Sequence, residues 1–240
     1  MSRTVGLALA LISLSSTASA QDNPASMRLA KTWSIHIDAD GHVSRLQPIT
    51  QIAPDLASAL EAEIRQWRFQ PGSVNGKPVD TDTFLHLNLA VRDTAAGSGR
   101  ITFEEVSTGG AVDKRAKPSY PSKAISSKDQ GLVVLQVTYD EQGHVEDAVP
   151  APGMVQGHQS LVDGASEEVK RWTFKPEVVG GHALAGKALV PFCYSVVPSG
   201  STPRPCSWKN GNPAIERGQN ETVALDSVAQ LITDIHDHTL

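Results

Sequence analysis

The motif D-x-x-G-H-V occurs twice in this chain, as Asp38-Ala-Asp-Gly-His-Val43 and as Asp140-Glu-Gln-Gly-His-Val145. A second motif, W-x-F-x-P, follows each copy at a similar distance, as Trp67-Arg-Phe69-Gln-Pro71 and Trp172-Thr-Phe174-Lys-Pro176. Self-similarity of this kind indicates a repeated structural unit. The sequence therefore predicts that one unit is built twice.

Each copy reads as strand, strand, helix, strand. Apolar residues alternate with polar ones before the first motif, which predicts a half-buried strand. They are Trp33, Ile35 and Ile37 in the first copy and Val133, Leu135, Val137 and Tyr139 in the second. The Asp-x-x-Gly sequence favours a tight turn into the second strand.

A helix is predicted after the second strand of each copy, because apolar residues recur there at helical spacing. These are Leu56, Leu60, Ile64 and Trp67, and then Leu161, Ala165, Val169 and Trp172. The last strands are predicted over 84–91 and 189–197. The fold class is therefore α+β, with a helix covering one face of a small antiparallel sheet in each unit. Units of about 70 residues are close to the lower limit for an independent core, so we expect them to pack against each other or against their flanking segments.

Composition excludes several classes of protein. The 240 residues carry 21 Lys and Arg against 26 Asp and Glu, a formal net charge of −5. An acidic chain without a basic run is a poor candidate for binding nucleic acid. No apolar run reaches the roughly 18 residues of a transmembrane helix.

The first 20 residues have the pattern of a secretory signal peptide. Arg3 precedes a short apolar run, and small residues lead to an A-x-A site at Ala18-Ser19-Ala20. This pattern predicts cleavage after Ala20 and export; an uncleaved anchor is the alternative. Export leads to an oxidising compartment, so the two cysteines, Cys193 and Cys206, are expected to form a disulfide.

The second copy resembles the TonB C-terminal domain family. The residues that carry the resemblance are the opening Pro118-Ser-Tyr120-Pro121-Ser-Lys-Ala124, the strand that begins at Gly131, the two repeated motifs, and Val190-Pro191-Phe192. The first copy lacks the Tyr-Pro opening and is interpreted as a diverged member of the same fold. The family-motif residues are Tyr120, Pro121, Trp172, Phe174 and Pro176, with Trp67, Phe69 and Pro71 in the first copy.

The resemblance implies a non-catalytic periplasmic protein that binds a TonB-dependent outer-membrane transporter or another envelope protein. In the family, the last strand offers its edge to an incoming strand, so that main-chain hydrogen bonds supply the affinity. The corresponding edge residues here are Phe84, Leu85, His86, Leu87, Asn88 and Leu89, then Val190, Phe192, Tyr194 and Val196.

Two alternatives remain open from the sequence. The domains could act as a structural or inhibitory partner that binds through their faces. The chain could also be a membrane-anchored energy transducer, although no long Pro-rich spacer follows its N-terminus. The predicted organisation is a signal peptide at 1–20, a diverged unit at 21–93, a linker with a short edge strand at 94–117, the clearer unit at 118–198, and a tail at 199–240.

Few residues in the sequence indicate a catalytic site or a metal site. Asp38 and Asp40 lack the remaining ligands of a calcium loop, and no nucleophile motif such as G-x-S-x-G is present. His36 and His86 are expected to face each other across the first sheet, without a third ligand, and His236 and His238 lie near a chain end. We therefore predict no enzyme, no metal and no cofactor.

Two expectations concern the tail. Ala224, Val228, Leu231, Ile232 and Ile235 have helical spacing, which predicts an amphipathic C-terminal helix. A hairpin centred near Ser199 and Gly200 would place Cys193 opposite Cys206. Ser207 and Trp208 would then continue as a fourth strand along 189–197 and cap that edge; the alternative is a disulfide that only pins the tail.

Overall fold

The structure is a computed structural model that describes residues 26–93, 99–116, 119–196, 206–210, 215–235 and 240. The predicted signal peptide, the hairpin near Ser199 and the pair His236 and His238 lie outside these residues. No helix in the described part of the chain has the length and apolar character needed to cross a membrane.

The fold is mixed α+β and rich in strands. The first part of the chain forms β1 (Ser26–Ile37), β2 (Val43–Pro48), α1 (Pro54–Ile64), β3 (Phe69–Gln70), β4 (Ser73–Val74), β5 (Lys77–Pro78), β6 (Thr81–Asp93), β7 (Gly99–Gly109) and β8 (Ala111–Lys114). The second part forms α2 (Ser122–Ser127), β9 (Gly131–Tyr139), β10 (Val145–Gln156), α3 (Gln159–Val169), β11 (Thr173–Lys175), β12 (Val178–Val179), β13 (His182–Ala183) and β14 (Gly186–Tyr194). The tail adds β15 (Ser207–Trp208), β16 (Arg217–Gly218), β17 (Val223–Leu225) and β18 (Gln230–Leu231).

Two larger sheets organise these strands. In the first, β6 is central and pairs with β1 on one side and with β7 and β12 on the other, while β2 lies beyond β1 and β13 beyond β12. In the second, the order is β10-β9-β14-β17. The order strand, strand, helix, strand predicted for each copy is present in both halves, with short strands inserted after each helix.

The two repeated motifs contact each other, which explains why they occur together. The Asp140 carboxylate accepts the backbone N–H groups of Gln142 and His144, at 3.0 and 2.7 Å. Gly143 then adopts φ +82°, and the Phe174 N–H donates to its carbonyl at 2.8 Å. A Cβ at Gly143 would lie 1.9 Å from the Phe174 carbonyl oxygen, so only glycine fits.

The first copy repeats this geometry. Asp38 accepts the N–H groups of Asp40 and His42, and Phe69 donates to Gly41, which has φ +84°. The predicted turns are therefore present at both motifs, and Asp38 and Asp40 serve the turn.

The predicted helical stripes face the two cores. Leu60, Ile64 and Trp67 are almost completely buried against β1 and β6, and Leu56 packs at the margin. Leu161, Ala165, Val169 and Trp172 are buried against β9 and β14. Both tryptophans therefore act as core anchors, although only Trp67 has a partner for its Nε1–H, the Glu63 carboxylate at 3.1 Å.

Strands from different parts of the chain pair with each other across the two halves. β12, from the second half, pairs with β6 at Thr81 and Asp82 and so extends the first sheet. β8, within the predicted linker, pairs with β11 in the second half, and β18, from the tail, pairs with β3 in the first. The two halves are therefore connected by strand pairings in both directions.

Glu177 joins three parts of the chain in the interior. Its side chain is buried and accepts hydrogen bonds from the Thr83 hydroxyl at 2.6 Å, the Ser227 hydroxyl at 2.9 Å and the Val228 N–H at 3.1 Å. A buried carboxylate needs several such donors to offset its desolvation. Glu177 therefore links β6, the second half and the tail at one point.

The predicted amphipathic C-terminal helix is wrong. Residues of that stripe lie instead in β17 and β18, which pair with β14 and β3. Asp226, between these strands, adopts φ +59°, a conformation that a helix cannot contain. Pairing of the tail residues with the edges of other strands therefore outweighed the helical tendency indicated by their spacing.

Candidate partner-binding edge

The last strand of the second sheet has an edge that is only partly covered. β14 pairs with β9 along its whole length, from Gly186 to Tyr194. On its other side, β17 pairs only with Lys187, Ala188 and Leu189. Among the described residues, no strand pairs with that side of β14 from Val190 to Tyr194. This part of the strand, residues 190–194, is called the open edge below.

Pro191 determines what the open edge can offer. Pro191 lies opposite Val134 within the continuous ladder with β9. A proline has no N–H and cannot stand on the hydrogen-bonded side of a ladder, so its nitrogen faces the open edge. In an antiparallel strand, the N–H and C=O groups of one residue point to the same side, and every second residue points to that side. The open edge therefore offers the carbonyls of Pro191 and Cys193 and the N–H of Cys193.

The predicted residues Val190, Phe192 and Tyr194 contribute their backbone only. Their side chains are buried in the core beneath α3. Val196 lies just past the strand, is 40% exposed, and donates its N–H to the Gln130 side chain at 3.1 Å. Binding along this edge would therefore depend on main-chain groups and on side chains beside the strand.

A cavity of about 390 Å³ lies beside the open edge. Its wall is largely aromatic. Tyr120 meets Tyr194 edge to face with ring centroids 5.3 Å apart, and Trp172 meets Phe192 at 5.3 Å. The Arg115 guanidinium lies over the Trp172 ring, 5.2 Å from its centroid.

Three buried polar atoms in the residues that line this cavity have no hydrogen-bond partner among the residues that the structure describes. They are Oε1 of Glu168, Nε1 of Trp172 and the hydroxyl of Tyr194. Such orphaned groups are costly, because each has lost its hydrogen bonds to water. In the described part of the domain, the buried polar atoms without partners all belong to residues that line this cavity.

Burial sets the protonation behaviour of these groups. Desolvation raises the pKa of Glu168, and this effect outweighs the opposing hydrogen bond from the Ser119 N–H and the charge of Arg171. Desolvation also raises the pKa of Tyr194, together with the neighbouring Glu168 and Tyr120. The tyrosine is thus a neutral hydroxyl at physiological pH.

The tyrosine of the opening motif positions the start of the second half. The Tyr120 hydroxyl donates to the Asp129 carbonyl. Pro121 lies against α3, where a Cβ at Gly164 would come within 2.1 Å of its ring. These contacts place α2 beside α3 and bring Tyr120 to the cavity wall.

The first predicted edge is not free. β7 pairs with β6 from Phe84, opposite Gly109, to Asp93, opposite Gly99. The prediction of an open edge there is therefore wrong for Phe84, Leu85, His86, Leu87, Asn88 and Leu89. The predicted short edge strand in the linker is in fact 11 residues long and covers that edge. Phe103 of β7 packs edge to face on Trp67, with centroids 5.2 Å apart.

The predicted disulfide is present, but the predicted cap is wrong. Cys193 and Cys206 are bonded, with Cα atoms 5.9 Å apart. Ser207 and Trp208 pair with β16 and not with β14. Trp208 packs with Leu132, Val134 and Leu189 on the face of the second sheet away from α3. That sheet is therefore covered on both faces, whereas one covered face was predicted.

The predicted pairing of His36 with His86 is also wrong. In the register of β1 and β6, His36 lies opposite Asp82, while His86 lies opposite Thr32. His36 contacts the Asp82 carboxylate at 2.7 Å, and burial lowers the pKa of His86. No cluster of three or more His, Cys, Asp or Glu side chains suited to a metal occurs in the described ranges.

Comparison with family models identifies part of the chain. Residues 116–196 match the family described as Gram-negative bacterial TonB protein C-terminal. These residues are similar to a TonB C-terminal domain. The match covers 81 of the 240 residues and begins just after β8. Neither the curated proteins nor the solved structures gave a match.

TonB C-terminal domains are periplasmic, non-catalytic interaction domains of Gram-negative bacteria that bind envelope proteins. In the matched segment of this chain, the open edge belongs to the last strand. Sequence reasoning did not find Glu168 or Arg115 at this site. The only signal for Glu168 was a charged residue next to Val169 on the buried stripe.

Proposed function

We propose that this protein is a non-catalytic periplasmic binding protein that accepts an extended segment of an envelope protein along the open edge of β14. The observation that carries the proposal is the stretch 190–194, whose outer side pairs with no described strand, on the last strand of the segment that matches the TonB C-terminal family. Exposed main-chain groups on an edge strand are a template for pairing with another chain. A TonB-dependent outer-membrane transporter is the partner class that we propose first.

The same proposal includes the rest of the chain. Residues 1–20 act as a cleaved signal peptide, and the first half is a diverged copy of the same domain. Because β7 occupies the edge of β6, strand addition is assigned to the second half alone. Mass spectrometry of the exported protein tests the cleavage, which predicts a chain that begins at Gln21.

Site-specific photo-crosslinking in the periplasm tests the binding edge. A photoreactive residue at Val196, beside the open edge, should cross-link to an outer-membrane transporter. Matched controls at Ile125 on α2 and Val149 on β10, which are 55% and 43% exposed, should not. Cross-links from Ile125 or Val149 without one from Val196 would instead support binding through a face or through the opposite edge.

A further inference from the structure

The open edge is too poor in main-chain groups to hold a strand tightly by itself. Pro191 removes one donor, so an incoming strand reaches only two carbonyls and one N–H between residues 190 and 194. Each such hydrogen bond adds little net free energy, since water competes for the same groups. Side-chain contacts beside the strand must therefore contribute, and the cavity adjoins Pro191, Phe192, Cys193 and Tyr194.

The polar groups of the cavity restrict the chemistry of an occupant. Nε1 of Trp172 is only a donor and needs an acceptor. Oε1 of Glu168 in its ionised form is only an acceptor and needs a donor, while the Tyr194 hydroxyl can act in either role. An occupant that satisfies these groups therefore needs at least one hydrogen-bond acceptor and one donor.

The charged groups around the cavity further restrict which side chains it can bind. A carboxylate would meet the buried side chain of Glu168, and a cation would meet the guanidinium of Arg115 over Trp172. An apolar side chain would leave all three polar atoms without partners. A primary carboxamide is neutral and carries a carbonyl acceptor and an NH₂ donor on one carbon.

We propose that this cavity binds the carboxamide of a glutamine or asparagine side chain carried by the strand that adds to β14. The proposal rests on the proposed function, because the strand delivers the side chain. The carboxamide pocket gives strand addition a preference for certain peptide sequences, whereas main-chain pairing alone depends little on sequence.

Entry of the side chain requires a local movement. Solvent does not reach the three polar atoms directly. Arg115 lies over Trp172 and donates to the backbone carbonyl of Asn220 at 2.6 Å. Arg115 and Asn220 also line the cavity. The carboxamide therefore enters as the Arg115 guanidinium moves off the indole ring of Trp172.

Four host peptides test the preference against the oxidised, mature protein. The probes are acetylated and amidated Thr-Val-X-Val-Thr, with X as Gln, Leu, Glu or Lys. We expect the Gln peptide to bind at least about tenfold more tightly than the others, because a site built for hydrogen bonding discriminates strongly against groups that cannot make the bonds. Hydrogen exchange at Cys193 reports whether each peptide occupies the edge.

Variants test the assignment of the atoms. Tyr194→Phe and Trp172→Phe should each reduce the affinity for the Gln peptide about fivefold and leave the affinity for the Leu peptide unchanged. Trp67→Phe, in the other core, is the matched control and should change neither. If a variant does not fold, the ranking of the four peptides alone decides.

The outcomes separate the two proposals. Equal binding of all four peptides with protection at Cys193 would overturn the carboxamide pocket and leave strand addition standing. Absence of protection with every peptide, together with no cross-link from Val196, would overturn strand addition itself. A high-resolution structure with one water bonded to all three atoms, and no preference among peptides, would show a buried hydration site only.

Discussion

Single residues at the repeated motifs determine the geometry of both halves. Gly143 and Gly153 both have positive φ, +82° and +72°, but only Gly143 lies against another backbone. A Cβ at Gly153 would meet nothing within 4 Å. A comparison of alanine variants at these two glycines therefore separates the free-energy cost of the positive φ from the cost of the close approach to another backbone segment.

We expect Gly153→Ala to lower the free energy of unfolding by about 1–2 kcal/mol, the cost of a left-handed conformation for an L-residue. Gly143→Ala should cost clearly more, because its methyl group would overlap the Phe174 carbonyl. Urea denaturation of both variants measures the difference. Equal losses would show that contact with Phe174 does not require glycine.

Glu168 provides a prediction about pH. Because burial raises its folded-state pKa, the neutral acid is favoured in the fold, and its contribution is complete below the unfolded value of about 4.5. The contribution is lost as the pH rises through the raised pKa. We therefore expect Glu168→Gln to melt a few degrees higher than the wild type at pH 7.5, with the gain disappearing at pH 4.

Thermal melts at several pH values test this expectation. Glu167→Gln is the matched control, since Glu167 lies on the exposed side of α3 and pairs with Lys170 at 2.9 Å. A gain for Glu168→Gln that is the same at pH 4 and pH 7.5 would contradict the role assigned to its ionisation.

At the scale of elements, proline placement controls which strand edges can pair. Pro191 lies in β14 and Pro150 in β10, the two strands with uncovered sides in the second sheet. Prolines on edge strands reduce unwanted pairing between chains. The domain therefore keeps an open edge that pairs weakly unless side chains add to the contact.

Pro191→Val restores an N–H at the open edge. We expect it to bind the strand peptides about fivefold more tightly, as one added hydrogen bond of about 1 kcal/mol predicts. Isothermal titration measures the change, and Pro150→Val, on the opposite edge, should leave peptide affinity unaltered. Tighter binding in the Pro150 variant alone would move the site to β10.

The sequence predicted those elements whose signals are local. Alternation identified β1 and β9, helical spacing identified α1 and α3, and the glycines identified the turns. It could not predict β17 or β18, because residues such as Val223 and Leu231 pair with strands far away along the chain. The polar groups of the cavity were equally hidden, since Arg115 and Glu168 carry no motif and line the same cavity only in the folded protein.

We expect the whole molecule to unfold as one unit, because its halves share strand pairings and the Glu177 contacts. We expect Glu177→Ala to lower the free energy of unfolding by about 3 kcal/mol or more, since three donors lose their acceptor at about 1–3 kcal/mol each. Calorimetry of the wild type should show one transition for both halves. Glu146→Ala, at an exposed position of β10, is the control and should have little effect.

Two separate transitions in the wild type would contradict the sharing of strands as a source of cooperativity. A single transition that splits in Glu177→Ala would identify this carboxylate as the main coupling. The isolated segment 116–196 should be less stable than the same residues in the full chain, because it lacks β8 and β17.

The pairing of β18 with β3 also fixes an order of events during synthesis. Leu231 lies opposite Phe69, and Ala229 is buried in the core that holds Trp67. A ribosome makes Trp67 more than 160 residues before Leu231, so the first core cannot close when its own sequence is complete. We therefore expect the first core to finish folding only after the tail has joined it, although its own residues come first in the chain.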